Sequence, residues 1–133
     1  MQIRPYTTYT EAEILALYES VGWVAYTRAP EALRAGFEHS LLCLAAYEGE
    51  TLLGLLRAVG DGQTVVLLQD ILVSPMHQRK GVGRALVEAA LDRFKAVRQV
   101  LLLTDDSPGT VAFYQALGFQ SVDRFGCKAF MRE

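Results

Sequence analysis

The chain has 133 residues, 51% hydrophobic and 21% charged, with thirteen Lys and Arg against fifteen Asp and Glu for a net charge of −2. That length buries enough surface for one core without disulfide or metal staples, so disordered and collagen-like architectures are excluded and a single domain over residues 1–133 is expected. The slightly acidic balance excludes a general affinity for nucleic acid or anionic membrane, and any basic function must be local.

Met1–Pro5 has no apolar stretch behind its charge, and no run of about eighteen apolar residues occurs anywhere, so neither a leader nor a membrane span is expected and the default location is cytoplasmic. Ile3 to Tyr6 reads as a short first strand. Thr10-Glu11-Ala12-Glu13 has the spacing of a capping box, in which Thr10 and Glu13 would satisfy each other's backbone donors. The helix that follows repeats apolar Ile14, Leu17, Tyr18 and Val21 and stops at Gly22, a residue suited to a left-handed terminator. A second helix is expected from Pro30, with Leu33 and Phe37 as its buried edge.

Leu41 to Tyr47, Leu52 to Val59 and Thr64 to Val73 are aliphatic runs separated by Glu48-Gly49-Glu50 and Gly60-Asp61-Gly62, the pattern of an antiparallel meander. After Ser74-Pro75 comes Gln78 to Gly83, then a helix with Val82, Leu86, Ala89, Ala90 and Phe94 on one side. Val100 to Thr104 reads as a buried strand. Ser107-Pro108 opens another helix that ends at Leu117-Gly118-Phe119. Two short closing strands are expected at Gln120 to Arg124 and Lys128 to Met131. Strand, helix and strand around the glycine loop imply a right-handed crossover, hence one parallel pair in an otherwise antiparallel sheet and an α+β class. Cys43 and Cys127 read as packed or surface thiols, and His39 and His77 are too few and too separated for a histidine-based metal centre, so no metal is expected.

The segment Gln78 to Arg84 combines what a pyrophosphate needs. It offers backbone N–H groups at a helix N-terminus, glycines that admit a ligand to the main chain, and cations at Arg79, Lys80 and Arg84. A dinucleotide fingerprint would place its third glycine where Leu86 stands, and no Gly is followed by Lys as a nucleoside-triphosphate loop requires. The plain alternative is a glycine-containing turn with a solvated basic rim. Asp70, set within Leu67-Leu68-Gln69-Asp70-Ile71-Leu72, is a charge in an apolar strand, where an unpaired carboxylate is costly.

Val73-Ser74-Pro75-Met76-His77-Gln78-Arg79-Lys80-Gly81-Val82-Gly83-Arg84-Ala85-Leu86 resembles the main motif of the GCN5-related N-acetyltransferases (GNAT), a strand ending in Val-x-Pro followed by Gln/Arg-x-x-Gly-x-Gly/Ala. Ala112-Phe113-Tyr114-Gln115-Ala116-Leu117-Gly118-Phe119 resembles the family's second signature, and the element order matches over essentially the whole chain. The resemblance implies a mostly antiparallel mixed sheet with a central splayed parallel pair flanked by helices, acetyl-CoA as cosubstrate, and transfer of its acetyl group to a primary amine by direct attack in a ternary complex.

It further implies that backbone at Gln78, Arg79, Lys80, Gly81, Val82, Gly83 and Arg84 holds the pyrophosphate. The pantetheine arm would bond to Ile71 and Val73, and the Ile71 amide would contact the acetyl carbonyl. Tyr114 corresponds to the family's general acid. Asp70 is a candidate for the base or for a partner of the substrate ammonium, against a plain structural carboxylate; Asp105 and Asp106 fit a turn or cap better. Ser107 stands where an asparagine often contacts the cofactor, and the shorter serine caps the helix instead. The first two helices and their connection wall the acceptor site in the family. Trp23 and Tyr26 there could hold a ring or a cation, or equally serve as core or dimer contacts. Gln69-Asp70, the main motif and Gly126-Cys127-Lys128 give a weaker similarity to arylalkylamine-type members, which tilts the expected substrate toward a small amine. A protein amine stays open, and homodimers are common in the family. The alternatives are a non-catalytic acyl-CoA-binding sensor or interaction module, and a structural domain without a small-molecule ligand.

Overall fold

A computed structural model describes all residues, Met1–Glu133. The chain forms two compact units, Met1–Leu103 and Thr104–Glu133.

The first unit runs β1 (Gln2–Pro5), α1 (Glu11–Ser20), α2 (Val24–Thr27), α3 (Pro30–Glu38), β2 (Leu42–Glu48), β3 (Thr51–Gly60), β4 (Val65–Val73), a 3-10 turn (Pro75–His77), α4 (Val82–Arg93) and β5 (Gln99–Leu102). The strands lie in the order β1-β2-β3-β4-β5. All pairs are antiparallel except β4 with β5, which is parallel as the crossover through α4 demands. The sheet is therefore mixed and flanked by helices. Ile14, Leu17, Tyr18, Leu33 and Phe37 from α1 and α3 pack with Leu55 and Leu72 on one face. Gly54, one residue from Leu55, turns to the other face. A Cβ there would meet the Leu72 carbonyl oxygen of β4 at 2.8 Å and Val82 of α4 at 3.2 Å, so the neighbouring strand's backbone first, and then α4, favours glycine. With both faces covered, Leu53 to Ala58 are buried without alternation.

The β3–β4 ladder carries one irregularity. Arg57 pairs with Asp70 but Ala58 pairs with Leu68, so Gln69 is an extra residue on β4. Neighbours on β3 face opposite ways, so this bulge sends Leu68 to the α4 face and Asp70, with Leu72, to the face of α1 and α3. The parallel pairing stops at the same place, its last pair being Leu68 with Leu102.

Helix ends follow local chemistry. Gly22 is left-handed (φ 80°), and the Gly22 and Trp23 N–H groups donate to the carbonyls of Glu19 and Tyr18, which is a Schellman termination. The capping box does not form: Thr10 makes no side-chain cap. Tyr6 takes the place of the Glu13 side chain instead, its hydroxyl accepting from the Thr10 N–H at 3.2 Å while donating to the Glu13 carboxylate at 2.8 Å. The short helix α2 is an addition to the expected elements.

The second unit holds α5 (Pro108–Ala116) and a 3-10 turn at Val122–Phe125. Gly118 (φ 93°) ends α5 with the same paired bonds, from Gly118 to Gln115 and from Phe119 to Tyr114. The two expected closing strands are absent. The Arg124, Gly126 and Cys127 N–H groups donate to Ser121, Asp123 and Val122, so local bonds and the left-handed Gly126 replace a ladder, and Lys128 to Met131 is irregular.

Candidate active site

The site is built outward from a buried ion pair. Arg57 on β3 and Asp70 on β4 are 7% and 2% exposed, with the Arg57 Nε donating to Asp70 Oδ2 at 2.8 Å. The bulge that brings Asp70 opposite Arg57 also aims it at the helical face. There the Tyr18 hydroxyl donates to Oδ2 at 2.9 Å and the Tyr26 hydroxyl to Oδ1 at 2.6 Å. Burial alone would lower the Arg57 pKa, but the hydrogen bond and charge of Asp70 outweigh it and the guanidinium is held more firmly protonated than usual. Burial first, then the Asp70 carboxylate, pushes the Tyr18 phenol up; burial and the Asp70 hydrogen bond do the same to Tyr26. Both phenols therefore stay protonated and donate.

Sequence reasoning found Asp70 and Tyr26 but missed Arg57 and Tyr18. For Arg57 a signal existed, since it is as isolated among aliphatic residues of β3 as Asp70 is on β4.

The network reaches the surface at Tyr26, which is half-buried, and at the exposed Gln69, whose Nε2 donates to the Tyr26 oxygen at 3.2 Å. Trp23 lies beside them, its ring centroid 6.2 Å from that of Tyr26, and Tyr18 meets both rings edge-on at 6.0 and 5.1 Å. Trp23 and Tyr26 thus cluster with Asp70, although they also pack against the core. Asp70 itself is enclosed, and its connection to a surface group runs through Tyr26.

Past the bulge, one edge of β4 opens. The Ser74 N–H donates to Leu53 on β3 at 2.8 Å. Main-chain groups alternate sides along an antiparallel strand, so Leu72 shares that side and the Ile71 and Val73 N–H groups point toward β5, beyond the last residue with which β5 pairs. The Val73 carbonyl accepts from Gln78 Nε2 at 3.1 Å, which ties the strand end to the loop that follows.

That loop turns sharply. Arg79 (φ 63°) is the one non-glycine residue with positive φ, and Gly81 (φ 81°) is the N-cap of α4. The first intrahelical bond runs from the Ala85 N–H to the Gly81 carbonyl, so the N–H groups of the preceding turn, through Gly83 and Arg84, have no helical acceptor. Arg79, Lys80 and Arg84 are exposed around them. Arg84 is engaged with Glu88 one turn on, Nε to Oε1 2.7 Å. The arrangement is an anion cradle at a helix N-terminus.

In the second unit, Ser107 is the N-cap residue of α5, but its hydroxyl donates to the Thr110 hydroxyl at 2.9 Å and accepts from no backbone N–H as a cap would. The Ser107 N–H donates to Asp105; hydrogen bonds from Ser107 hold the Asp105 carboxyl below the usual carboxylate range. Tyr114 lies on α5 with ring centroids 5.0 Å from Phe113 and 5.9 Å from Phe119. Burial, and then the Asp105 charge, raise its phenol pKa.

The mixed sheet, the edge of β4 beyond its last β5 pair and the turn at Gly81 before α4 together make the candidate site of the first unit. The profile of the Acetyltransferase (GNAT) family matches residues 8–119. A GNAT-family acetyltransferase of Streptococcus pneumoniae superposes with a TM-score of 0.89 at 34% identity, over 99% of this chain and 96% of that one. Serotonin N-acetyltransferase 2 of Oryza sativa is 32% identical over 83% of this chain and 58% of its own length. PaiA N-acetyltransferase of Thermoplasma acidophilum, solved in complex with coenzyme A, shares the fold at a TM-score of 0.75 and 18% identity, over 90% of this chain and 89% of its own. This chain belongs to the GNAT acetyltransferase family, whose general reaction is acetyl transfer to an amine. It spans 61%, 58% and 51% of the length of the first curated relatives it matches.

Proposed function

We propose that this chain is an acetyl-CoA-dependent N-acetyltransferase acting on a primary amine, with small amines favoured, by direct attack in a ternary complex. The observation that carries this reading is the opening of β4 past Gln69, immediately before the left-handed Gly81 that starts α4. The pantetheine arm would take the place of a strand against Ile71 and Val73, and the pyrophosphate would sit on the N–H groups of Gln78 to Arg84 beside Arg79 and Lys80. Ser107 is a further candidate contact to the cofactor.

Acetyl-CoA supplies an activated thioester. The Ile71 N–H, fixed by the strand, would strengthen its hydrogen bond to the carbonyl oxygen as charge develops there. The amine nitrogen forms the new bond to the carbonyl carbon, the carbon–sulfur bond breaks, and the Tyr114 hydroxyl gives its proton to the departing thiolate. The ammonium must first lose a proton. Asp70 could take that proton only by relay, the Tyr26 hydroxyl passing its own proton to Asp70 Oδ1 as it accepts one from the amine, because Arg57 and two tyrosines already occupy the carboxylate. For the acceptor, the rice relative is named for serotonin, and the Trp23 and Tyr26 rings suit an arylalkylamine. That is the class to screen first.

The test is the melting temperature with acetyl-CoA, against adenosine diphosphate and NAD at equal concentration. At about a hundredfold over its Kd a ligand adds roughly 2.7 kcal/mol, several degrees for a domain of this size. A shift selective for acetyl-CoA, followed by amine-dependent thiol release, is expected. No shift at saturation overturns the reading; a shift with no thiol release across primary amines would leave the acyl-CoA sensor in its place.

A further inference from the structure

We infer that the Gln78 side chain is a clasp on the opened edge of β4: its amide holds the Val73 carbonyl, and the pantetheine arm binds by displacing it. This rests on the acetyltransferase reading above and adds the residue that sets the affinity for the arm. The Ser74 N–H donates to Leu53 on β3 at 2.8 Å. In a trans peptide the carbonyl points opposite to the N–H that follows it, so the Val73 carbonyl faces away from β3. β5 does not reach it, since the last parallel pair is Leu68 with Leu102. Gln78, exposed to solvent, fills the position instead, its Nε2 donating to the Val73 oxygen at 3.1 Å. An arm that adds to this edge as a strand takes the Val73 N–H and carbonyl together, so Gln78 stands where the arm's own N–H would donate.

Two features make the clasp releasable. The turn beneath it has its own support, because the His77 N–H donates to the Ser74 carbonyl at 2.8 Å and Pro75 opens the 3-10 turn. The loop therefore keeps its path when Gln78 lets go. Directly after the clasp, Arg79 is held at φ 63°, a conformation in which a non-glycine residue stores strain. Opening the clasp gives that strain room to relax, which offsets part of the lost bond. The Val73 carbonyl is paired in both states, so binding exchanges one hydrogen bond for another, and the returning Gln78 hastens departure of the arm after each turnover.

The test compares coenzyme A with 3′-phosphoadenosine 5′-diphosphate, which carries the same phosphates without the arm. We would measure the Kd of both for the full chain as wild type and as Gln78→Met, which keeps the length of the side chain and removes its donor. The expected result is coenzyme A binding about threefold to tenfold tighter in Gln78→Met, the worth of one neutral hydrogen bond, with the armless ligand unchanged. In the wild type, the Gln78 side-chain amide resonance, identified by its loss in the variant, should move on adding coenzyme A and stay in place with the armless ligand. Weaker or unchanged coenzyme A binding in Gln78→Met, an equal gain for both ligands, or a resonance that coenzyme A leaves in place overturns the clasp. A wild type with no measurable affinity for coenzyme A overturns the acetyltransferase reading and the clasp with it, whereas binding without the Gln78 effect removes the clasp alone.

Discussion

Arg57 and Asp70 sit opposite each other on adjacent strands, and both are buried. Removing one partner of a buried ion pair leaves an uncompensated charge and costs about 3–5 kcal/mol. Asp70→Ala should therefore lower the unfolding free energy by about 3 kcal/mol or more in urea, with the amine site disordered along with it. A loss below about 1 kcal/mol would mean that water reaches Arg57 and the pair is not enclosed. The cost of an isolated carboxylate in an apolar strand made Asp70 visible in the sequence. Its partners were not, because Tyr18 and Tyr26 lie 52 and 44 residues away and Arg57 comes opposite only through the Gln69 bulge.

At the scale of elements, the β3–β4 turn is held by one side chain. Asp61 accepts from the N–H groups of Gln63, Thr64 and Val65 and from the Thr64 hydroxyl. The Thr64 hydroxyl first, then those N–H groups, keep its carboxyl well below the ordinary carboxylate range. A pKa depressed by folding contributes stability that is complete above the unfolded value, about 3.9, and is lost as pH falls through the folded value. Asp61→Asn should therefore lose stability less steeply than the wild type below about pH 4 in acid-unfolding curves. Parallel curves would show that the turn bonds are exchanged for water at no cost. The strands, α1, α3, α4 and α5 were legible because hydrophobic period and glycine or proline punctuation are contiguous signals. The capping box failed because Tyr6, carried past the end of β1 by its bond to Cys43, competes for the same donor and acceptor. The closing strands failed because alternation describes a face and supplies no hydrogen-bonding partner.

For the whole molecule, the cradle and opened strand lie in Met1–Leu103, while Tyr114 lies on α5 of Thr104–Glu133. Burial and the nearby Asp105 raise the Tyr114 phenol, so it keeps its proton throughout the neutral range and remains able to give it up. Tyr114→Phe should lower kcat by about a hundredfold or more while the acetyl-CoA thermal shift stays at the wild-type value. Full turnover in this variant across pH would show that Tyr114 is not the acid. No helix is long and apolar enough to cross a membrane.

The sequence by itself determined the order and type of nearly every element, the parallel crossover and the glycine loop, since each depends on sterics and periodicity within a few residues. The tertiary structure decided the rest. The bulge that re-aims Asp70, the enclosure of that carboxylate by Arg57 and two tyrosines, the edge of β4 beyond the last β5 pair and the role of Tyr6 at α1 all depend on register and on competition among hydrogen-bonding groups. Those are settled between residues distant in sequence, so no local pattern encodes them.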